Sequence, residues 1–311
     1  MPFFGTLGGG SNRGFRGYGA LIRVSYKAIF GYGAIPGAVS MTNLVSNTGV
    51  VGNDVTGVGT ARYYLAAAGY GTDKAIFGYG NDGGNRDSMT NLVSNTGVVA
   101  TDTTGVGTVR QDLAAAGYGT DKAIFGYGYS SSGVVSMTNL VSNTGVVSTD
   151  TTGVGTARSG IAAAGYGTDK AIFGYAWSAV SLSMTNLVSN TGVVSTDTTG
   201  VGTARYYLAA AGYGTDKAIF GYGYNGSYQS ITNLVSNTGV VATDTTGVGT
   251  GRSAVAAAGY GTDKAIFGYG VSTGGLDVSM TNLVSNAGIV ATDTTGVGTA
   301  RHGLAAASYG T

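Results

Sequence analysis

The chain has 311 residues, with 16 Lys and Arg against 15 Asp and no Glu, one His and no Cys, for a formal charge of +1. That balance points neither to a nucleic-acid-coating protein nor to an acidic tail, and it removes disulfides and thiolate metal sites. The 58 Gly, 21 Tyr and only two Pro favour tight turns and aromatic surface over long helices, because Gly and β-branched residues are poor helix formers.

Residues 1–17 form a Gly-rich arm that carries Phe3, Phe4, Arg13, Phe15 and Arg16. Such a segment is expected to dock onto another protein of an assembly and to order on contact. Two Arg are few for phosphate binding, so no nucleic-acid partner is expected. The start lacks the basic, apolar and small-residue order of a secretory signal. No apolar run reaches the roughly 18 residues of a spanning helix, so no membrane insertion is expected. A location on a virion or a cell surface would then be reached by another route.

From Lys27 onward the chain is one unit written six times. KAIFGYG begins at Lys27, Lys74, Lys122, Lys170 (with Ala176 at its end), Lys217 and Lys264, at spacings of 47, 48, 48, 47 and 47 residues. A period of roughly 40 to 50 residues with strand and turn signals inside each copy marks a β-propeller. The expected fold is all-β: a six-bladed β-propeller over residues 18–311, with four antiparallel strands per blade.

In the second copy, LAAAGYG (65–71) and KAIFGYG (74–80) flank Thr72-Asp73 and read as a hairpin. SMTNLVSNTGVVATD (88–102) reads as a second hairpin, with Gly97 in the left-handed position of a three-residue turn. Alternation would put Ala75, Phe77 and Tyr79 on one face and Ile76 and Gly78 on the other. The small LAAA segment suits an innermost strand, where six blades converge on an axis. The last residues, LAAASYGT (304–311), repeat the first strand of a blade and stop where the second should begin. The C-terminal strand is expected to pair with the N-terminal blade and close the ring; an open solenoid or an exchange between chains is the alternative.

The order R-x-x-LAAAGYGTDKAIFGYG followed by NLVSNTGVV resembles a diverged Kelch repeat, with Arg62, Arg110, Arg158, Arg205, Arg252 and Arg301 in the place of the Kelch Arg and Gly78 and Gly80 near its Gly pair. The copies depart from that pattern where Tyr79 splits the Gly pair, Leu92 stands for Tyr and Val98 for Trp. The resemblance implies a propeller that serves as a structural or protein-binding scaffold. The near-identical, Gly- and Tyr-rich copies also loosely resemble virion and appendage proteins of tailed bacteriophages.

Of 31 charges, 23 are locked to the repeat: the six Lys, the six Arg, five Asp before Lys and six Asp in the connector, such as Asp102. Turn capping and ties between blades account for them better than cation sites, because no copy holds a cluster with enough oxygen ligands. GYGTDK and GVGTAR lack the third Gly or the GK[ST] ending of phosphate loops. His302 is the only His, and no GxSxG is present, so no catalytic residue, metal site or cofactor is expected.

The copies differ in two windows. One follows KAIFGYG, at 34–40, 81–88, 129–136, 177–183, 224–230 and 271–279. The other follows the Arg, at 63–64, 111–112, 159–160, 206–207, 253–254 and 302–303. In an up-and-down blade both emerge on one face of the disk, where loops on a rigid scaffold serve recognition. Tyr63, Tyr64, Tyr129, Trp177, Tyr206, Tyr207, Tyr224, Tyr228 and His302 are the candidate ligand-binding residues, with a cell-surface glycan as the expected ligand because aromatic faces stack on sugar rings.

Overall fold

The computed structural model describes residues 27–310. The arm residues Phe3, Phe4, Arg13, Phe15 and Arg16 lie outside that range. The described chain is all-β, and it contains no helix long and apolar enough to cross a membrane.

Each repeat builds one three-stranded antiparallel sheet, with an inner, a middle and an outer strand. The second sheet, for example, runs Ala66–Tyr70, Lys74–Asn81, Arg86–Val93. The inner strands of the others are Ala114–Tyr118, Ala162–Tyr166, Ala209–Tyr213 and Ala256–Tyr260. The first sheet takes its inner strand, Ala305–Tyr309, from the far end of the chain. It pairs with Lys27–Gly31 in the register Lys27 to Tyr309 through Gly31 to Ala305. The pairing expected between the two ends of the repeat array is therefore present within one chain.

Each inner strand packs against those of two other sheets, and the order returns from Ala305–Tyr309 to Ala66–Tyr70. Their small side chains permit that approach. Together they line a channel segment of about 170 Å³, walled by Ala from all six sheets.

The apolar core is divided into wedges between neighbouring sheets. In one wedge Ile76 and Tyr79 meet Ala123 and Phe125 of the next sheet, with Ala66, Ala68 and Val141 around them. Phe125 reaches so far across that a Cβ at Gly78 would lie 2.8 Å from its Cζ, which is why the middle strand carries Gly there.

Three details differ from the sequence reading. Tyr79 faces the opposite side from Ala75 and Phe77, because it takes a left-handed conformation (φ 64°) and the ladder slips between Gly78 and Gly80, which breaks the two-residue alternation. The connection in the first hairpin has three residues, since Tyr70 pairs with Lys74 and both Gly71 and Thr72 have positive φ. The expected fourth strand shrinks to two single-residue bridges, Val93 to Val99 and Thr90 to Thr103. The Asn91 side chain takes the space between them. Its Nδ2 donates to Ala100 O (3.0 Å) and Asp102 Oδ1 (2.9 Å), replacing ladder bonds by side-chain bonds.

Candidate functional site

A polar clamp ties neighbouring sheets together; it is complete at Arg110, Arg158, Arg205 and Arg301, while Arg62 and Arg252 bond Met89 O and Met280 O instead and leave Nε without a partner. Arg205 is fully buried. Its Nε donates to Tyr222 O (2.7 Å), one Nη to Thr203 O (2.9 Å) and the other to Asn233 Oδ1 (2.7 Å), and its Cζ lies over the Tyr175 ring, 4.5 Å from the centroid. Every donor group thus has a partner, without which a buried guanidinium would be strongly destabilising. Asp244 completes the clamp. It accepts from Thr203 N (3.0 Å), Thr203 Oγ1 (2.6 Å) and Asn233 Nδ2 (2.8 Å). Burial by itself would raise the Asp244 carboxyl, but the bonds from Thr203 and Asn233 and the Arg205 charge outweigh it and hold the group below the ordinary carboxylate range. The locked Arg and Asp are architectural. Among the described residues, no group of three or more His, Cys, Asp or Glu could hold a metal ion.

The two variable windows meet edge to edge. The residue after each Arg forms a two-way bridge with a residue just beyond KAIFGYG: Tyr63 with Asn81, Gln111 with Tyr129, Ser159 with Trp177, Tyr206 with Tyr224, Ser253 with Val271 and His302 with Ala34. The next residue in each copy lies nearer the axis and has positive φ: Tyr64 52°, Asp112 56°, Gly160 61°, Tyr207 54°, Ala254 50°, Gly303 60°. In that conformation their amides and carbonyls point along the ring. Tyr64 N donates to Gly303 O, Asp112 N to Tyr64 O, Gly160 N to Asp112 O, Tyr207 N to Gly160 O, Ala254 N to Tyr207 O and Gly303 N to Ala254 O, at 2.6 to 3.2 Å. These six bonds form an unbroken circle. At the opposite end of the channel a second set runs from Gly71 to Asp121, Gly119 to Asp169, Gly167 to Asp216, Gly214 to Asp263 and Gly310 to Asp73.

Seven of the nine candidate residues join into one aromatic row across this circle. Tyr63 meets Tyr64 at 5.0 Å, Tyr64 stacks on Tyr207 at 5.3 Å, Tyr207 meets Tyr206 at 5.1 Å, Tyr206 meets Tyr224 at 5.8 Å and Tyr224 meets Tyr228 at 5.2 Å. His302 packs against Tyr64 at 6.1 Å, and its Nδ1 lies 2.7 Å from Asp277 Oδ1. The row runs through the two positions without side chains. A Cβ at Gly303 would lie 3.0 Å from the Tyr64 ring and one at Gly160 3.2 Å from the Tyr207 ring, so Gly in those copies makes room for Tyr in others. Tyr129 and Trp177 stand outside the row. Tyr129, 36% exposed, carries the Arg86 guanidinium over its ring at 4.7 Å, and Trp177 is 39% exposed.

Between the rings the structure places a group that the sequence reading did not single out. Asp112 is 9% exposed and lines, with Tyr64 and Tyr207, a cavity of about 90 Å³ at the variable end of the channel. Its Oδ2 accepts from Gln111 Nε2 at 3.1 Å, the Tyr207 hydroxyl lies against the carboxylate, and Oδ1 has no partner in hydrogen-bond geometry. Burial pushes this carboxyl up to about 6, with Gln111, Tyr207 and Arg86 opposing. Burial likewise raises Tyr64 to about 12 and Tyr207 further. The signal available in sequence was a carboxylate in a column that otherwise holds Tyr, Gly and Ala.

The other mouth of the channel is a cavity of about 290 Å³ lined by repeated Tyr, Thr and Lys, among them Tyr70, Thr72 and Lys74. No known family model matches the chain, and no curated protein matches its sequence.

Proposed function

We propose that the six sheets are the blades of a six-bladed β-propeller that acts by recognition without catalysis, and that the aromatic row on its variable face binds a cell-surface glycan. The architecture is supported by the circle of six backbone bonds, the cyclic order of the inner strands and the pairing of 305–309 with 27–31. The observation that carries the binding reading is the row itself. Side chains from non-adjacent copies, Tyr63, Tyr64, Tyr206, Tyr207, Tyr224 and Tyr228, meet on one face although the rest of each copy is nearly invariant. Partly exposed rings side by side are the surface on which pyranose faces stack, with hydroxyls at their edges for hydrogen bonds.

Kelch-like order and appendage-like composition favour a place on a larger assembly, such as a phage virion, with the arm of residues 1–17 as the anchor. A scaffold that binds only protein is the second reading. A separate observation favours it: Val50, Val98, Val146, Val193, Val240 and Ile289 repeat around the molecule, each 65 to 69% exposed. Unpartnered apolar side chains in series suit a protein contact.

A glycan array with the wild-type chain beside a Tyr63→Ala, Tyr206→Ala, Tyr228→Ala variant separates the two. Selective binding that disappears in the folded variant supports the recognition reading. Absence of binding by the wild type, with capture of a protein that Val98→Asp and Val193→Asp abolish, supports the scaffold.

A further inference from the structure

The axial pocket has features that sugar stacking does not use. Its floor is a ring of branched aliphatic residues, Leu65, Leu113, Ile161, Leu208, Val255 and Leu304. Its wall includes the Tyr64 and Tyr207 phenols, and one carboxylate oxygen, Asp112 Oδ1, stands buried without a partner. A buried acceptor left unpaired is costly, and such groups mark either strain or a missing ligand. The volume of about 90 Å³ holds several water-sized groups, too little for a pyranose ring and enough for a small polar head with its first carbons.

We propose that this pocket binds a protonated primary amine, with Asp112 Oδ1 accepting from the ammonium and the Tyr64 and Tyr207 rings beside it, and that the amine is the free amino group of an amino sugar presented to the variable face. The sugar rests on the glycan reading above; the amine rests on the pocket alone. A primary ammonium matches the site in three respects. It donates hydrogen bonds where an acceptor is unpaired, it brings the positive charge that a desolvated carboxylate lacks, and aromatic walls tolerate a cation. Arg86 is the one cation that acts on Asp112 among its neighbours, which are otherwise Gln111, Tyr64 and Tyr207. Arg86 itself is stacked on Tyr129.

The test is a titration of the full chain, followed by NMR or calorimetry, with ethylammonium chloride and with the neutral isostere ethanol, on wild type and Asp112→Asn. Ethylammonium is expected to bind at least about tenfold more tightly than ethanol. Asp112→Asn keeps the shape and should remove that preference. Lowering the pH from 7.5 to 5 should weaken ethylammonium binding to the wild type, because the amine stays charged while Asp112 takes up a proton. Equal affinity for the two probes, or unchanged ethylammonium binding in Asp112→Asn, overturns the amine site whatever the face does with sugars. A parallel titration with glucosamine and N-acetylglucosamine tests the source. Tighter binding of glucosamine, dependent on Asp112, supports the amino sugar, and ethylammonium binding with no such preference overturns that half. Loss of all sugar binding with retained ethylammonium binding would locate the failure in the glycan reading.

Discussion

Tyr64 and Tyr207 come from copies at opposite positions of the six-residue backbone circle, yet their rings stack across it at 5.3 Å with planes 15° apart. A contact of this kind links residues 143 positions apart through side chains alone. Tyr64→Leu, Tyr207→Leu and the double variant, compared by urea unfolding, are expected to show a coupling of roughly 1 kcal/mol beyond the separate losses. Purely additive effects would mean that the rings do not stack in solution.

The same relationship makes two glycines intolerant. Gly303→Ala should destabilise by about 1 to 2 kcal/mol, because it places a Cβ at φ 60° and 3.0 Å from the Tyr64 ring. In a Tyr64→Ala background the steric part disappears, so the measured cost should fall toward that of the backbone alone.

The buried clamp predicts a large asymmetry between breaking and replacing it. Arg205→Met leaves the Asn233 Oδ1 and the Tyr222 and Thr203 carbonyls without their donor and should cost about 3 to 5 kcal/mol. Arg205→Lys should recover only a small part, since one ammonium cannot reach the acceptors that the guanidinium fork serves. Equal stability of the Lys variant and the wild type by thermal unfolding would contradict the clamp.

Two sets of Asp give opposite pH dependences. The clamp carboxyls Asp54, Asp102, Asp150, Asp197, Asp244 and Asp293 sit below their ordinary value. Their contribution is present above the unfolded carboxylate range and is lost as pH falls through their folded values, so the midpoint of unfolding should drop sharply below about pH 4. Asp112 is raised to about 6, so its ionisation works against the fold, and that loss develops as pH rises from about 4 to 6. Asp112→Asn is therefore expected to stabilise by up to about 3 kcal/mol at pH 7.5, with the gain shrinking toward pH 4. A gain independent of pH would show that charge is not its cause. A residue that destabilises the fold at neutral pH and leaves an acceptor unpaired has the character of a binding group.

The turns 71–73, 119–121, 167–169 and 214–216 hold Thr72, Thr120, Thr168 and Thr215 at φ 69 to 70°, a conformation unfavourable for a β-branched residue. Thr168→Asn should raise stability by up to about 1 kcal/mol, since Asn tolerates the left-handed region, and the four changes together should raise the midpoint of thermal unfolding cumulatively.

Much of the molecule was legible in the linear chain, because near-identical copies leave few ways to be arranged. The period, the small LAAA strands, the Gly97-type turns, the meeting of the two variable windows and the pairing of the chain ends all follow from local chemistry repeated six times. The details that failed are those in which side chains override alternation. Tyr79 turns over at a left-handed residue, and Asn91 and Asp102 take bonds that a fourth strand would have used. The axial site was illegible for a deeper reason. Tyr64, Asp112, Gly160, Tyr207, Ala254 and Gly303 lie about 47 residues apart, and nothing local tells that they share one circle, that two Tyr lean over two Gly, or that burial leaves Asp112 Oδ1 alone. Composition and repeat decide the sheets, because strand and turn preferences act between near neighbours. The cavity and its carboxylate exist only where six distant segments converge, so they belong to the tertiary structure.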